Sequence, residues 1–178
     1  MKTRLALAVF TINILRWAGA ATAQESLAEQ LKPLQPFIGK TWRGEFKNST
    51  PDKPVVDVSR WERALNGQAV RVLHSINNGE YGGETIIFWD KQKQSLVYYY
   101  FTTAGFFTHG SFKLEQGKFI SHEYVTGNAE GVTEVKATGE MTPDGKMIST
   151  SQYFKNGEWV EGHSAVYIED STAQVVFK

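Results

Sequence analysis

The chain has 178 residues, no cysteine, and 19 basic against 19 acidic residues. This is the length of one domain, the balanced charge argues against a nucleic-acid-binding surface, and the lack of cysteine excludes disulfides and thiolate metal sites. Five Trp, seven Tyr and eleven Phe supply enough aromatic surface for a large core or a lined pocket.

Residues 1–23 have the features of a signal peptide for export. Lys2 and Arg4 give a positive start, "LALAVFTINIL" is an apolar run too short to span a bilayer, and "ATA" at 21–23 is a small-residue cleavage motif. We therefore expect a mature chain that starts at Gln24 and is periplasmic or secreted, with no stable membrane anchor after cleavage. A retained helix that anchors the chain is the alternative.

Residues 24–40 predict a short helix followed by a connector. Three leucines recur at spacings of four and three residues, which places them on one face of a helix. Two prolines, Pro33 and Pro36, are expected to end it. The leucines are Leu27, Leu31 and Leu34.

Residues 41–178 form the predicted β-domain. Turn signals such as "PDG" at 143–145 and "NG" at 156–157 separate runs that alternate between apolar and polar residues. Asn-Gly and Asp-Gly favour tight hairpins, because their positive φ angles match the twist of the flanking strands. The predicted strands lie near 41–47, 55–65, 68–77, 80–90, 94–104, 106–115, 118–127, 131–141, 146–155 and 158–168.

Strands of this number and length favour a closed barrel. A meander of ten long strands leaves two exposed edges, and closure removes both of them. The expected fold is therefore an all-β, antiparallel, roughly ten-stranded barrel with a short N-terminal helix. Eight strands already enclose an interior that can hold one small ligand, and ten should enclose more. An open sandwich is the structural alternative.

The start of the first strand resembles a known group of barrels. The stretch "GKTWRGEF" places Gly39 before Trp42 and continues with Arg43, Gly44 and Glu45. It is similar to the G-x-W opening of calycins, which include the lipocalins, and to that of bacterial ten-stranded relatives of the nitrobindin and DUF1579 types. The spacing here is one residue longer, and the cation that calycins often carry on the last strand is missing from "EWVEGHSAVYIED".

That resemblance implies a calycin-like barrel in which Trp42 packs across one end. A Trp at this place buries a large area where the strands splay apart, so we expect Trp42 to be a structural plug.

Nitrobindin-like relatives hold haem through a histidine late in the chain. His163 is the only late histidine here, and its strand lacks the surrounding motif. We therefore predict no cofactor and no metal.

Three histidines lie on strands where alternation groups them with other side chains. His74 shares a face with Val72, and His122 shares a face with Tyr124, so both are candidate interior polar groups. His163 shares its predicted face with Glu161, a pair that suits a solvated surface better than a metal site. His109 is expected to point outward. No nucleophile elbow, zinc motif or phosphate-binding loop is present in the sequence.

The segment "SLVYYYFTTAGFF" puts aromatic side chains on both faces of one strand. One set must face solvent or be covered by another part of the molecule. We predict that the other set, with Tyr99 and Phe101, lines a pocket. The predicted ligand-binding residues are thus His74, Val72, Tyr99, Phe101, His122 and Tyr124.

These features together predict an exported barrel that binds or carries a small apolar or amphipathic ligand. No catalytic residue is assigned. One alternative is an enzyme of the same architecture that uses His74 or His122 as acid or base. Another is an envelope protein that binds other proteins and takes no small ligand. A cavity would favour the first two functions, and a histidine beside a carboxylate inside it would favour catalysis.

Overall fold

The computed structural model describes residues 26–127 and 130–178, so the predicted signal segment 1–23 lies outside the described residues. A 3₁₀ helix precedes ten antiparallel strands, which confirms the predicted strand number and order. The N-terminal helix is Glu29–Phe37, and the strands are β1 (Thr41–Phe46), β2 (Val56–Ala64), β3 (Ala69–Ile76), β4 (Tyr81–Asp90), β5 (Ser95–Thr102), β6 (Phe107–Glu115), β7 (Lys118–Thr126), β8 (Val132–Met141), β9 (Met147–Lys155) and β10 (Glu158–Glu169).

The sheet closes on itself, and the open sandwich is ruled out. Strand β1 pairs with β2 on one side and with β10 on the other, while every other strand pairs with its neighbours in the chain. The hairpin turns behave as their sequences predict. At the last one, Asn156 and Gly157 have φ angles of 55° and 87°, which only glycine and asparagine adopt readily.

The N-terminal helix closes one end of the barrel. Its buried Leu31 and Leu34 pack against the ends of several strands, in a cluster that includes Val70 and Leu96. Phe37 belongs to a second cluster with Trp42. The three-leucine face is therefore confirmed as the buried face. Within the described residues, the opposite end carries no helix, and no helix is long and apolar enough to cross a bilayer.

The prediction that Pro33 and Pro36 end the helix is wrong. The helix is of the 3₁₀ type, whose φ angle is close to the value that proline fixes. The prolines remove two N–H donors, but the flanking bonds remain, from Leu31 N to Ala28 O and from Ile38 N to Gln35 O. The helix consequently runs on to Phe37, which it delivers into the core beside Trp42.

Candidate functional site

An interior cavity of about 290 Å³ lies beneath the N-terminal helix. At about 30 Å³ per water molecule, this space suits a ligand of roughly ten non-hydrogen atoms. The wall near the helix is apolar, and another side carries carboxylate, imidazole and hydroxyl groups. The apolar lining includes Leu34, Trp61, Val72, Ile87, Phe112, Phe119 and Met147, and the polar lining includes Asp57, Ser59, His74, Tyr98, Ser121, Ser149 and Tyr167.

His74 is hydrogen-bonded at both ring nitrogens. Its Nδ1 lies 2.8 Å from Asp57 Oδ1, and its Nε2 lies 2.7 Å from the Tyr100 hydroxyl. The chain of bonds extends to the Tyr81 hydroxyl, 2.9 Å from that of Tyr100, while Tyr167 donates to Asp57 Oδ2 at 2.9 Å. A carboxylate only accepts, so His74 Nδ1 carries a proton and donates to Asp57. The Tyr100 hydroxyl donates its proton to the hydroxyl of Tyr81. Bonds at both ring nitrogens thus fix the imidazole in one orientation.

Two glycines make room for the tyrosine rings of this chain. Gly83 on β4 is the register partner of His74, and a Cβ atom there would lie 2.1 Å from the Phe101 carbonyl oxygen and 2.5 Å from the Tyr100 ring. Gly44 on β1 is the partner of Tyr167, and a Cβ atom there would also lie 2.5 Å from the ring. Any side chain at either glycine would therefore push a tyrosine away from its hydrogen-bond partner.

The hydroxyls of these tyrosines stay protonated in the folded protein. Burial, followed by the charges and hydrogen bonds of neighbouring groups, raises the pKa of Tyr100 far above its ordinary value. Burial and the Asp57 carboxylate do the same to the pKa of Tyr167. Each hydroxyl therefore keeps its proton to donate, Tyr167 to Asp57 and Tyr100 to the hydroxyl of Tyr81.

Glu123 on β7 is a second inward-facing carboxylate. The Tyr98 hydroxyl donates to Glu123 Oε2 at 2.9 Å. Gly110 on β6 separates the two residues in the register, and its missing side chain lets them meet across that strand. Burial raises the pKa of Glu123 above 4.5, its ordinary value, and the opposing effects of hydrogen bonds from Tyr98 and Thr108 are smaller.

Glu123→Gln is expected to increase the free energy of unfolding at neutral pH. The raised pKa means that the folded state keeps this proton to higher pH than the unfolded chain. The parent therefore loses stability as pH rises from about 4.5 through the pKa of the folded state, whereas glutamine has no proton to lose. Urea unfolding from pH 4 to pH 8 should show that the difference in free energy of unfolding between variant and parent grows as the pH rises through this window.

The exposed Glu115 on β6 offers a matched control for that experiment. The free energy of unfolding of Glu115→Gln should differ from that of the parent by a small amount that is nearly constant with pH. A Glu123→Gln variant that is less stable than the parent at pH 7 would contradict the proposed cost of burying the carboxylate.

A β-bulge in β10 turns His163 into the barrel. The register of β10 on β9 shifts between Glu161 and Ser164, so Glu161 is exposed while His163 faces inward. There its Nδ1 is hydrogen-bonded to the Tyr153 hydroxyl, and its ring stacks on Phe46 with the centroids 4.9 Å apart. The expectation that Glu161 and His163 share a solvated face is wrong, because the extra residue reverses the alternation. Burial lowers the pKa of His163.

The residues around His163 do not fit a haem. The interior cavity is far smaller than a porphyrin, and His163 is not part of its lining. His163 instead borders a larger depression of about 950 Å³ along β6 to β10, whose lining includes polar and charged side chains such as Lys136, Gln152 and Glu161. Such a lining does not suit an apolar macrocycle.

Tyr99 and Phe101 lie on the outside of the barrel, so their expected position on the cavity wall is wrong. Their side chains are 42% and 52% exposed. Their outer neighbours are His109, which stacks on Tyr99 and points outward as predicted, and Phe107, which packs on Phe101. The inward set of β5 is instead the other alternating set, Leu96, Tyr98 and Tyr100.

His122 and Tyr124 share a face as expected, but that face is also the outer one. His122 Nε2 lies 2.6 Å from Glu134 Oε2, and Tyr124 is 49% exposed. The Tyr124 ring lies between those of His109 and His122 in an aromatic row that continues to Trp159. Of the six predicted ligand-binding residues, only Val72 and His74 line the interior cavity.

The sequence arguments missed several residues that the barrel brings together. Asp57 shares its inner face with Trp61, and Glu123 shares its inner face with Ser121. The signal that could have identified Asp57 and Glu123 is a single acidic residue among the residues of a strand whose side chains otherwise face inward. The other missed residues are Tyr81, Tyr98, Tyr100, Tyr153, His163 and Tyr167.

Comparison with known proteins supports the architecture. No family model matches the chain, and no curated protein matches its sequence. Among solved structures, the chain is similar to the crystal structure of Rv2717c from M. tuberculosis, with a TM-score of 0.60 and 12% sequence identity. The match covers 81% of this chain and 99% of that one. At this identity the similarity shows the fold, which is a calycin-like ten-stranded barrel.

Proposed function

We propose that this barrel binds and carries a small amphipathic molecule in its interior cavity. The supporting observation is the division of the cavity wall, with Trp61 and Phe119 on the apolar side and the hydrogen-bonded Asp57–His74 pair on the polar side. An apolar enclosure with a few fixed polar groups is the usual form of a small-molecule site. Export, predicted from residues 1–23, and kinship with nitrobindin-like or DUF1579-type barrels are part of this proposal.

His74→Ala is expected to weaken binding of a lipophilic fluorescent dye by about threefold to tenfold, the value of one hydrogen bond. The reason is that His74 is fixed by Asp57 and Tyr100 on the polar wall that a ligand's polar end would contact. A dye titration of the purified protein measures the effect, with circular dichroism to show that the variant is folded.

Two residues on the outer face provide matched controls for the dye titration. His109→Ala and Tyr99→Ala remove a histidine and a tyrosine that stack on each other outside the barrel, so neither should change dye affinity. Equal affinity in the parent, His74→Ala and both controls would exclude the interior cavity as the binding site.

A second candidate function is acid–base catalysis at His74. The observation that favours it is the Asp57 carboxylate on Nδ1, which orients the imidazole in the way that a general base requires. Native mass spectrometry of protein from its own host distinguishes the two functions. A retained molecule that stays unchanged on prolonged incubation supports the carrier, and its conversion identifies an enzyme.

A further inference from the structure

The two inward carboxylates of the barrel differ in how their charge is balanced. Asp57 has a partner on each oxygen, His74 on Oδ1 and Tyr167 on Oδ2. Glu123 receives a hydrogen bond from Tyr98, and the Thr108 hydroxyl is a second neutral group that acts on its pKa, but no Lys or Arg among the described residues forms an ion pair with it. Buried charges in proteins are normally paired, so Glu123 lacks the partner that its position calls for.

Glu123 adjoins the cavity of the proposed carrier. Tyr98, which it binds, lines that cavity, and so does Ser121, two residues earlier on the same inward face of β7. Glu123 itself lies behind this lining, so the terminal group of a ligand in the cavity would reach its carboxylate beside Tyr98 and Ser121. The carboxylate already has neutral donors, and a positive charge is what would offset its burial.

Tyrosines lie on both sides of the same carboxylate in the sheet. Tyr98 and Tyr153 flank Glu123 in the register, each two strands away, with Gly110 and Val135 between them. Burial raises the pKa of Tyr81 and of Tyr100, and the negative charge of Glu123 adds to both shifts. Aromatic faces attract cations, and a carboxylate among several rings is the arrangement that holds organic ammonium groups.

We propose that the ligand of this barrel is a cationic amphiphile, with Glu123 as the counter-ion of its ammonium group. The inference rests on the proposed carrier function and specifies the charge of its cargo. A fatty acid is disfavoured, because its carboxylate would meet the negative charges of Asp57 and Glu123. A neutral alcohol would fill the apolar wall but leave Glu123 without a positive partner.

Three octyl probes test the proposal on the purified protein by isothermal titration calorimetry. Octylammonium, 1-octanol and octanoate share one chain, which suits a cavity for roughly ten non-hydrogen atoms. We expect octylammonium to bind at least about tenfold tighter than 1-octanol, and octanoate to bind most weakly. Glu123→Gln should remove the advantage of octylammonium and leave the affinity for 1-octanol unchanged.

Glu134→Gln is the matched control, because Glu134 is a neighbouring carboxylate on the outer face, where it pairs with His122. It should preserve the order of the three affinities. Failure of all three probes to bind the parent would overturn the proposed carrier function. Binding of 1-octanol or octanoate as tightly as octylammonium, or an equal loss for all probes in Glu123→Gln, would overturn only the cationic cargo. If Glu123→Gln does not fold, the three affinities of the parent still decide the question.

Discussion

Trp42→Ala is expected to lower the free energy of unfolding by about 3–5 kcal/mol, the range for truncation of a large aromatic side chain in a core. Trp42 is 1% exposed, and its ring lies 5.8 Å from that of Phe37, the last residue of the N-terminal helix. Loss of the indole leaves a cavity where the helix meets β1. The chain has no disulfide to compensate, so urea or thermal unfolding should show a large shift of the midpoint.

Two further variants test whether the loss of stability comes from the packing of a buried aromatic ring. The Trp42 indole N–H is buried and has no hydrogen-bond partner among the described residues, so Trp42→Phe should cost much less than Trp42→Ala. Phe101→Ala, on the outer face, removes an aromatic ring that is half exposed and should cost little. If Trp42→Ala lies within about 0.5 kcal/mol of the parent, Trp42 is not the plug that its position suggests.

The fold could be predicted from the sequence because local signals agree along its whole length. Hairpin turns such as Asn156–Gly157 fix where each strand ends, and alternation then assigns the two faces. Closure follows from the number of strands and the need to hide two edges. The end of the N-terminal helix could not be predicted from Pro33 and Pro36, because proline interrupts an α-helix but is compatible with this 3₁₀ helix.

The site was harder to predict because its residues meet across strands. Strand β5 is aromatic on both faces, so alternation alone cannot choose between Tyr99 and Tyr100. The register does choose: inward His74 lies opposite Gly83, and Gly83 lies opposite Thr102, which shares its face with Tyr100. Using that argument requires the exact length of two hairpin loops, and one residue of error reverses the answer.

His163 shows a second limit of the same reasoning. The bulge between Glu161 and Ser164 adds one residue to β10. Gly162 lies inside it, and an isolated glycine in a strand pattern is a signal for a bulge, but that glycine alone does not show which way the neighbouring side chains turn. Because of the extra residue, the side chains of β10 that precede the bulge lie on the opposite faces from those that uninterrupted alternation with the later residues would give. A histidine expected in solvent is therefore found against Phe46 and Tyr153 inside the barrel.

Asp57→Ala is expected to destabilise the protein by roughly 2–6 kcal/mol, from about 1–3 kcal/mol for each buried donor left without its acceptor. The two donors are His74 Nδ1–H and the Tyr167 hydroxyl, which come from β3 and β10. Asp57 therefore connects the two strands on either side of the β1–β2 pair, close to where the barrel closes. Asp52→Ala, in the exposed loop between β1 and β2, is the control and should change stability by no more than about 0.5 kcal/mol.

A double-mutant cycle identifies the source of the Asp57 effect. In the parent, Tyr167→Phe removes one donor and leaves Asp57 Oδ2 without a partner, which should be costly. In the Asp57→Ala background the same change removes a hydroxyl that already lacks its acceptor, so it should cost nothing or restore stability. Strictly additive losses in urea unfolding would show that the two residues act independently, and that the hydrogen bond between them does not hold the polar wall of the cavity in place.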